Sequence, residues 1–437
     1  MKGKEKESII SKDEQEKKHI YWKKSWLPRL RGIGFFLAIL GPGIITSSVD
    51  NDVGGITTYS LCGANFGLKM LWSLIPITIC LMVVQEMCTR IGVVTGKGLS
   101  DLIRERFGIK FTFYLLIGIL IGNLGTIIAE FAGVAASMEI VGLSKYMTVP
   151  LAGVLVWILV LKVNYKKVEK IFLVACSLYV AYIISAFLAH PDWNTVVISL
   201  VKPQIELNTS YLVMLTAVVG TTIAPWMQFY LQSSVVEKGV KIEYMKYSQM
   251  DTFVGSFIVN FIAFFIIVVC ATTIFANGLK IETVKDAAIA LTPLAGYYAT
   301  LLFSFGLLNA SLFAACILPI TTAFLICEGF GWESGVDKKF TEAPQFYTLY
   351  SLSILFGVIF VLIPNIPLLN IIFISQVILG LSLPIVMVIM LILINDRKIM
   401  GKYANNVRNN IISYAIVSVV TIMTLAMIFF SIADLFK

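Results

Sequence analysis

Apolar runs broken by charge, glycine or proline follow one another along the whole chain, and eleven of them are long enough to cross a bilayer as helices. The predicted spans are 33–62, 70–94, 111–138, 147–164, 170–189, 211–235, 250–276, 296–326, 345–363, 367–394 and 409–435. Residues 1–32 are polar and basic and predict a tail on the cytoplasmic side, with none of the apolar core and cleavage site of a secretory leader. An odd number of spans then places the C-terminus outside. The pattern reads as an all-α integral membrane protein of the cell membrane, with no soluble domain.

Composition agrees with the pattern. Of 437 residues, 58% are apolar and 14% charged, against about 45–50% and about 25% in soluble domains. A cytosolic enzyme and a disordered scaffold are both excluded. The net charge of +8 would suit a nucleic-acid binder, but its distribution along the chain argues for a membrane instead. With the N-terminus inside, 28 of the 34 Lys and Arg residues fall on the inner side and six on the outer. That asymmetry marks a cytoplasmic face opposed to anionic lipid, so the partner it predicts is the bilayer and not nucleic acid. The seven cysteines all lie in or at the edges of apolar segments, where none is placed for an external disulfide.

Two spans are interrupted. The first contains Gly41-Pro42-Gly43 and then Asp50-Asn51-Asp52-Val53-Gly54-Gly55, and the sixth contains Gly220-Thr221-Thr222-Ile223-Ala224-Pro225. Broken backbone at membrane depth is tolerated where it lines a cavity or is buried in protein. Pro225 also frees one carbonyl. Helices one and six open two five-helix sets, 33–190 and 208–394, with 409–435 left over. Interruptions at matching positions of two halves point to a transporter of inverted repeats with its site at the midplane.

Ionisable groups inside spans cost about 2.5 to 3.5 kcal/mol each and therefore mark function. Asp52 at the first break and Glu130 in the third helix are such groups, and Asp50 is a third candidate or a vestibule residue. Glu86 and Asp251 read as interfacial. A carboxylate joined by freed carbonyls is an oxygen-ligand cation site, suited to Mg2+, Mn2+ or Ca2+. With only His19 and His190 in the chain and no metal-binding cysteine pattern, a nitrogen or sulfur site for zinc or copper is not expected. No protein cofactor is predicted; the metal ion is the substrate.

At these residues the sequence resembles the Nramp family of divalent-metal transporters. The likeness is carried by GPG at 41–43, RIGVVTGKGLSDLIRERFG at 90–108, LTPLAGYYATLLFSFGLL at 291–308, EGF at 328–330 and SQVILGLSLPIVMVIMLILINDRKIMG at 375–401. The resemblance implies the LeuT-type fold and alternating access for a divalent cation. The family's first-helix signature, Asp-Pro-Gly-Asn, falls on Asp52-Val53-Gly54-Gly55, so the carboxylate ligand is kept at Asp52 and the amide is replaced by Gly55. The sixth-helix Met-Pro-His falls on Ala224-Pro225-Trp226, which puts Ala224 where the family has a thioether. The preceding carbonyl position falls on Thr221 and the helix-ten glutamine on Gln376.

The metal positions implied are thus Asp52, Gly55, Thr221, Ala224 and Gln376, with Asp50, Glu130, Gln228 and Gln232 as possible accessory or water-mediated contacts. Losing an amide and a thioether widens the site and removes selection for softer ions. This is the pattern of the Nramp-related magnesium transporters, and it implies import of Mg2+, and of Mn2+, with much of the water shell retained. The family's proton route is mostly missing. Its histidine is Trp226, its first helix-three acid is kept as Glu130, its second falls on Gly133, and helix nine has no basic residue. Uptake driven by membrane potential is the expectation, with a proton-coupled Mn2+/Fe2+ transporter as the alternative. An amino-acid symporter of the same fold conflicts with Asp52 at the break. A membrane enzyme or receptor conflicts with the lack of catalytic motifs and of a soluble output domain.

Overall fold

The computed structural model describes residues 41–162, 174 and 176–435. The basic tail, the start of the first predicted span, the end of the fourth, the connection to the fifth with most of its first turns, and residues 436–437 lie outside the described residues.

Among the described residues all regular structure is helical. The first span is two pieces, α1 (Pro42–Val49) and α2 (Val53–Phe66). Next come α3 (Leu74–Thr95), a short α4 (Leu99–Phe107), α5 (Ile109–Ile140) and α6 (Lys145–Lys162). Beyond the undescribed connection lie α7 (Val180–Leu188) and α8 (Trp193–Val201). The sixth span is again two pieces, α9 (Thr209–Thr222) and α10 (Pro225–Glu237). The chain continues as α11 (Met245–Thr273), α12 (Ala299–Phe330), α13 (Pro344–Leu362), α14 (Leu368–Asn395) and α15 (Val407–Leu435).

Eight stretches are long and apolar enough to cross a membrane, counting α9 with α10 as one. They match the predicted second, third, sixth to ninth, tenth and eleventh spans, with ends displaced by a few residues. The fourth and fifth, Lys145–Leu161 and Cys176–Leu188, are shorter apolar helices among the described residues. The hydrophobic pattern did not foresee α4 and α8. The former carries charge throughout its polar side, Asp101, Arg104, Glu105 and Arg106, and so never reads as a span.

The termini follow local chemistry. Gly96 closes α3 in the left-handed region at φ 63°, returning its N–H to the Gly92 carbonyl. Asn208 opens α9 by accepting from the Tyr211 N–H at 2.8 Å. The two broken helices lie side by side, α2 against α9 and α1 against α10. The first half of one meets the second half of the other, so the two breaks run antiparallel and face each other. Then α5 lies along α12, and α14 along α9. Glycines bring these helices close: a Cβ on Gly220 would overlap the Gln376 carbonyl and the Gly380 backbone. The sixth span and α12 are almost wholly buried, whereas α15 presents most of its surface outward. The core of the bundle is therefore the neighbourhood of the two breaks.

Candidate metal-ion site

Between Val49 and Val53 the helix stops for Asp50, Asn51 and Asp52. Asp52 then acts as N-cap of α2, accepting at Oδ1 from the Gly55 N–H at 2.7 Å. A carboxylate at a helix N-terminus also meets the positive end of the dipole, which favours its charged form at the centre of the bundle. Gly55 contributes this N–H and no side-chain donor. A Cβ there would stand 2.5 Å from the Asp50 carbonyl oxygen, so the tight return of the break excludes a side chain.

The second break is narrower than the sequence predicts. Helix α9 continues through Gly220 and Thr221 to Thr222, and only Ile223 (φ −123°, ψ 45°) and Ala224 (φ −58°, ψ 134°) leave helical geometry before Pro225 starts α10. Gly220 serves contact with α14 and not chain flexibility. Pro225 has no N–H to return to the carbonyl four residues earlier, which is that of Thr221. Thr221 and Ala224 are buried, and the Thr221 carbonyl is the donor that the break releases.

Two further helices close the site. Gln376 of α14 is buried with its Nε2 lacking a partner, and its amide occupies the space a Cβ on Gly54 would take, beside Asp52 Oδ1. Glu130 of α5 is fully buried and lies beside the Asp52 carboxyl. Asp50 is likewise buried with both oxygens unpartnered. Among the described residues none of these three carboxylates forms an ion pair. Buried carboxylates without a counter-charge are costly, which makes this group of oxygen donors a candidate cation site.

Structure brings together Asp52, Gly55 and Gln376, with Glu130 close by and Asp50 in the same break. It gives the two other glutamines separate work. With its amide oriented to donate, Gln228 reaches the carbonyls of Ala224 at 2.6 Å and Pro225 at 2.7 Å. It thereby braces the first turn of its own helix. Gln232 donates from Nε2 to the Lys97 carbonyl at 2.9 Å, tying α10 to the loop before α4.

Asn51 and Tyr59 carry no signal in the sequence, and Asp251 is more deeply placed than expected. Asn51 is buried, with both amide atoms unpartnered, and its carbonyl accepts from the Tyr179 hydroxyl at 2.8 Å. Tyr59 of α2 and Thr222 of α9 share a hydrogen bond of 2.7 Å that crosses between the two broken helices. Asp251, read as interfacial, is buried and accepts from three N–H groups at the start of α1. Polar residues of these types are common at span ends. Only the fold shows which are buried without partners or shared between helices.

Residues 43–430 match the family described as natural resistance-associated macrophage protein-like, Nramp. A divalent metal cation transporter MntH of Caldanaerobacter subterraneus subsp. tengcongensis is 27% identical over 410 residues, covering 89% of this chain and 92% of that protein. One of the same name from Deinococcus radiodurans is 25% identical, covering 89% of each. Among solved structures, the manganese transporter of Eremococcus coleocola superposes with a TM-score of 0.71 at 19% identity, covering 91% of this chain and 87% of its own. MhsT, solved with L-phenylalanine, gives 0.61 at 14% identity over 89% and 97% of the two chains. These likenesses establish the LeuT-type architecture.

Proposed function

The chain belongs to the Nramp family, and from that premise we propose that it imports divalent cations, Mg2+ foremost and Mn2+ as well, as partly hydrated ions by alternating access and without coupled protons. The family is one of transporters and not enzymes, and its relatives named above are divalent metal cation transporters. Asp52 supplies the charge, the Thr221 carbonyl and Gln376 supply oxygen donors, and Asp50 and Glu130 add negative potential around them. The observation that carries the preference is the wall at the second break, where Ala224 stands buried in the place of a thioether. Hard oxygen donors without a soft ligand suit an ion such as Mg2+.

The absence of proton coupling is supported by packing. A Cβ on Gly133 would overlap Val53 and the Ser311 hydroxyl, so no second acid fits one turn from Glu130 without displacing its neighbours. Trp226 follows Pro225, and α13 contains no Lys, Arg or His. Glu130 itself favours the second reading, a proton-coupled Mn2+/Fe2+ carrier, since it lies buried against Asp52 as a relay acid would. We further assign 33–190 and 208–394 as the two inverted repeats, with 409–435 outside them, the N-terminus cytoplasmic and the C-terminus outside. The antiparallel meeting of the half-helices and the basic asymmetry support that assignment.

Purified protein in liposomes distinguishes the readings. Mg2+ and Mn2+ are expected to compete for uptake, with an internal pH dye unmoved. Manganese uptake that ignores millimolar Mg2+ and acidifies the lumen would establish the coupled carrier instead.

A further inference from the structure

We propose that Asp251 is a positioning residue of the transport cycle: it latches the half-helix α1 onto α11, and its release lets the ion site open to the cytoplasm. The inference rests on the transport reading and on the inner placement of α1. Asp251 Oδ2 accepts from the Gly43 N–H at 2.7 Å, while Oδ1 accepts from Gly41 at 3.0 Å and from Ile44 at 3.3 Å. Pro42 has no N–H, and Ile45 already returns its own to the Gly41 carbonyl at 3.2 Å. One carboxylate from a helix more than two hundred residues away therefore satisfies every free donor at the start of α1, and Gly41, its N-cap, has no side chain to do so.

The helix so held is eight residues long. Two turns are too few to persist alone. Its packing on α11 is smooth. A Cβ on Gly43 would stand 2.6 Å from the Thr252 backbone, and one on Gly255 would stand 2.9 Å from the Gly43 carbonyl and 2.7 Å from Ser47 Oγ. Backbone rests on backbone along that seam, and the three hydrogen bonds to Asp251 fix the start of α1 on it. Meanwhile α11 is tied to α3, through Thr89 and Thr252 at 3.2 Å and through Gln249 and Glu86 at 2.7 Å. The carboxylate stays with that pair, so its three hydrogen bonds are ones that must break for α1 to move away from α11. The last residue of α1, Val49, is followed at once by the break that ends in Asp52. Displacing α1 consequently moves one wall of the ion site.

The test pairs Asp251→Asn with the full-length wild type. Hydrogen exchange over residues 41–49, Mn2+ binding by calorimetry and initial Mn2+ uptake in liposomes are measured on both. In the wild type, the amides of Gly43 and Ile44 are expected to be protected; exchange there at the unprotected rate would overturn the latch without any variant. In Asp251→Asn, exchange over α1 should rise about tenfold or more while other peptides keep their rates, since an amide accepts more weakly than a carboxylate. Binding should stay within about threefold and uptake should fall about tenfold. Uptake at the wild-type rate, or loss of binding together with uptake, would overturn the proposal. A variant that fails to fold leaves the wild-type exchange to decide. Failure of the transport reading would be separate: the wild type itself would then bind and carry no Mn2+.

Discussion

Asp52 is a buried carboxylate that caps α2 through the Gly55 N–H, and this makes its removal informative in two ways. Asp52→Ala is expected to abolish Mg2+ and Mn2+ uptake while leaving the detergent-solubilised protein folded. Its melting temperature should hold or rise, because a buried carboxylate without an ion partner costs more than the single Gly55 hydrogen bond returns. Melting curves and uptake measured on one preparation decide it; a variant that carries either ion normally would remove Asp52 from the site. Ala224 tests selectivity. Ala224→Met restores a thioether beside Pro225 and is expected to raise the preference for Mn2+ over Mg2+ by about tenfold, about 1.4 kcal/mol, read from competition uptake. An unchanged ratio would mean that position 224 does not reach the ion. Asp52 and Glu130 were evident in the sequence because charge inside spans is so scarce. Asn51 was not, since a buried amide lacking partners looks like any other asparagine until its surroundings are known.

Glycines and breaks govern how the helices meet, and here sequence and structure part in instructive ways. The interruption of the first span, expected over Asp50 to Gly55, is confined to Asp50, Asn51 and Asp52, because Asp52 caps a helix that already includes Val53, Gly54 and Gly55. The second was read too wide. Gly220 looked like part of the break, yet it sits inside α9, where its missing side chain admits the α14 backbone. A tertiary contact had claimed a residue that local preference alone assigns to flexibility. Gly220→Ala therefore forces α9 from α14 and is expected to destabilise by about 1 to 3 kcal/mol, with a parallel loss of uptake because Gln376 rides on the same contact. A thermal melt and an uptake assay check both, and a variant with full stability would show that the helices have more room than their backbones suggest. Tyr59→Phe removes the one side-chain hydrogen bond between α2 and α9 given above. A loss of about 0.6 to 1.5 kcal/mol in the same melt is expected.

The orientation read from the basic residues, with 28 of 34 on one side, has an energetic consequence for the entire molecule. A carrier that moves an uncompensated divalent ion inward takes two charges through the membrane potential. At about 2.3 kcal/mol per charge per 100 mV, that is about 4.6 kcal/mol for each ion, enough to hold a gradient of more than a thousandfold. A proton-coupled carrier would instead draw on pH as well, and its rate would rise with external acid. The fold alone does not separate these cases, because the same architecture is shared by the manganese transporter and by MhsT. The proposal of uncoupled transport leans on the surroundings of Glu130, where Gly133 leaves no space for a second acid and α13 brings no basic group. In liposomes loaded with potassium, valinomycin sets a negative interior, and Mg2+ uptake is expected to accelerate with each increment of potential while the lumenal pH dye stays flat. Clamping the potential at zero and acidifying the outside should give no acceleration. If acid alone drives Mg2+ or Mn2+ inward at zero potential, Glu130 carries protons without the partners named here, and the carrier is coupled.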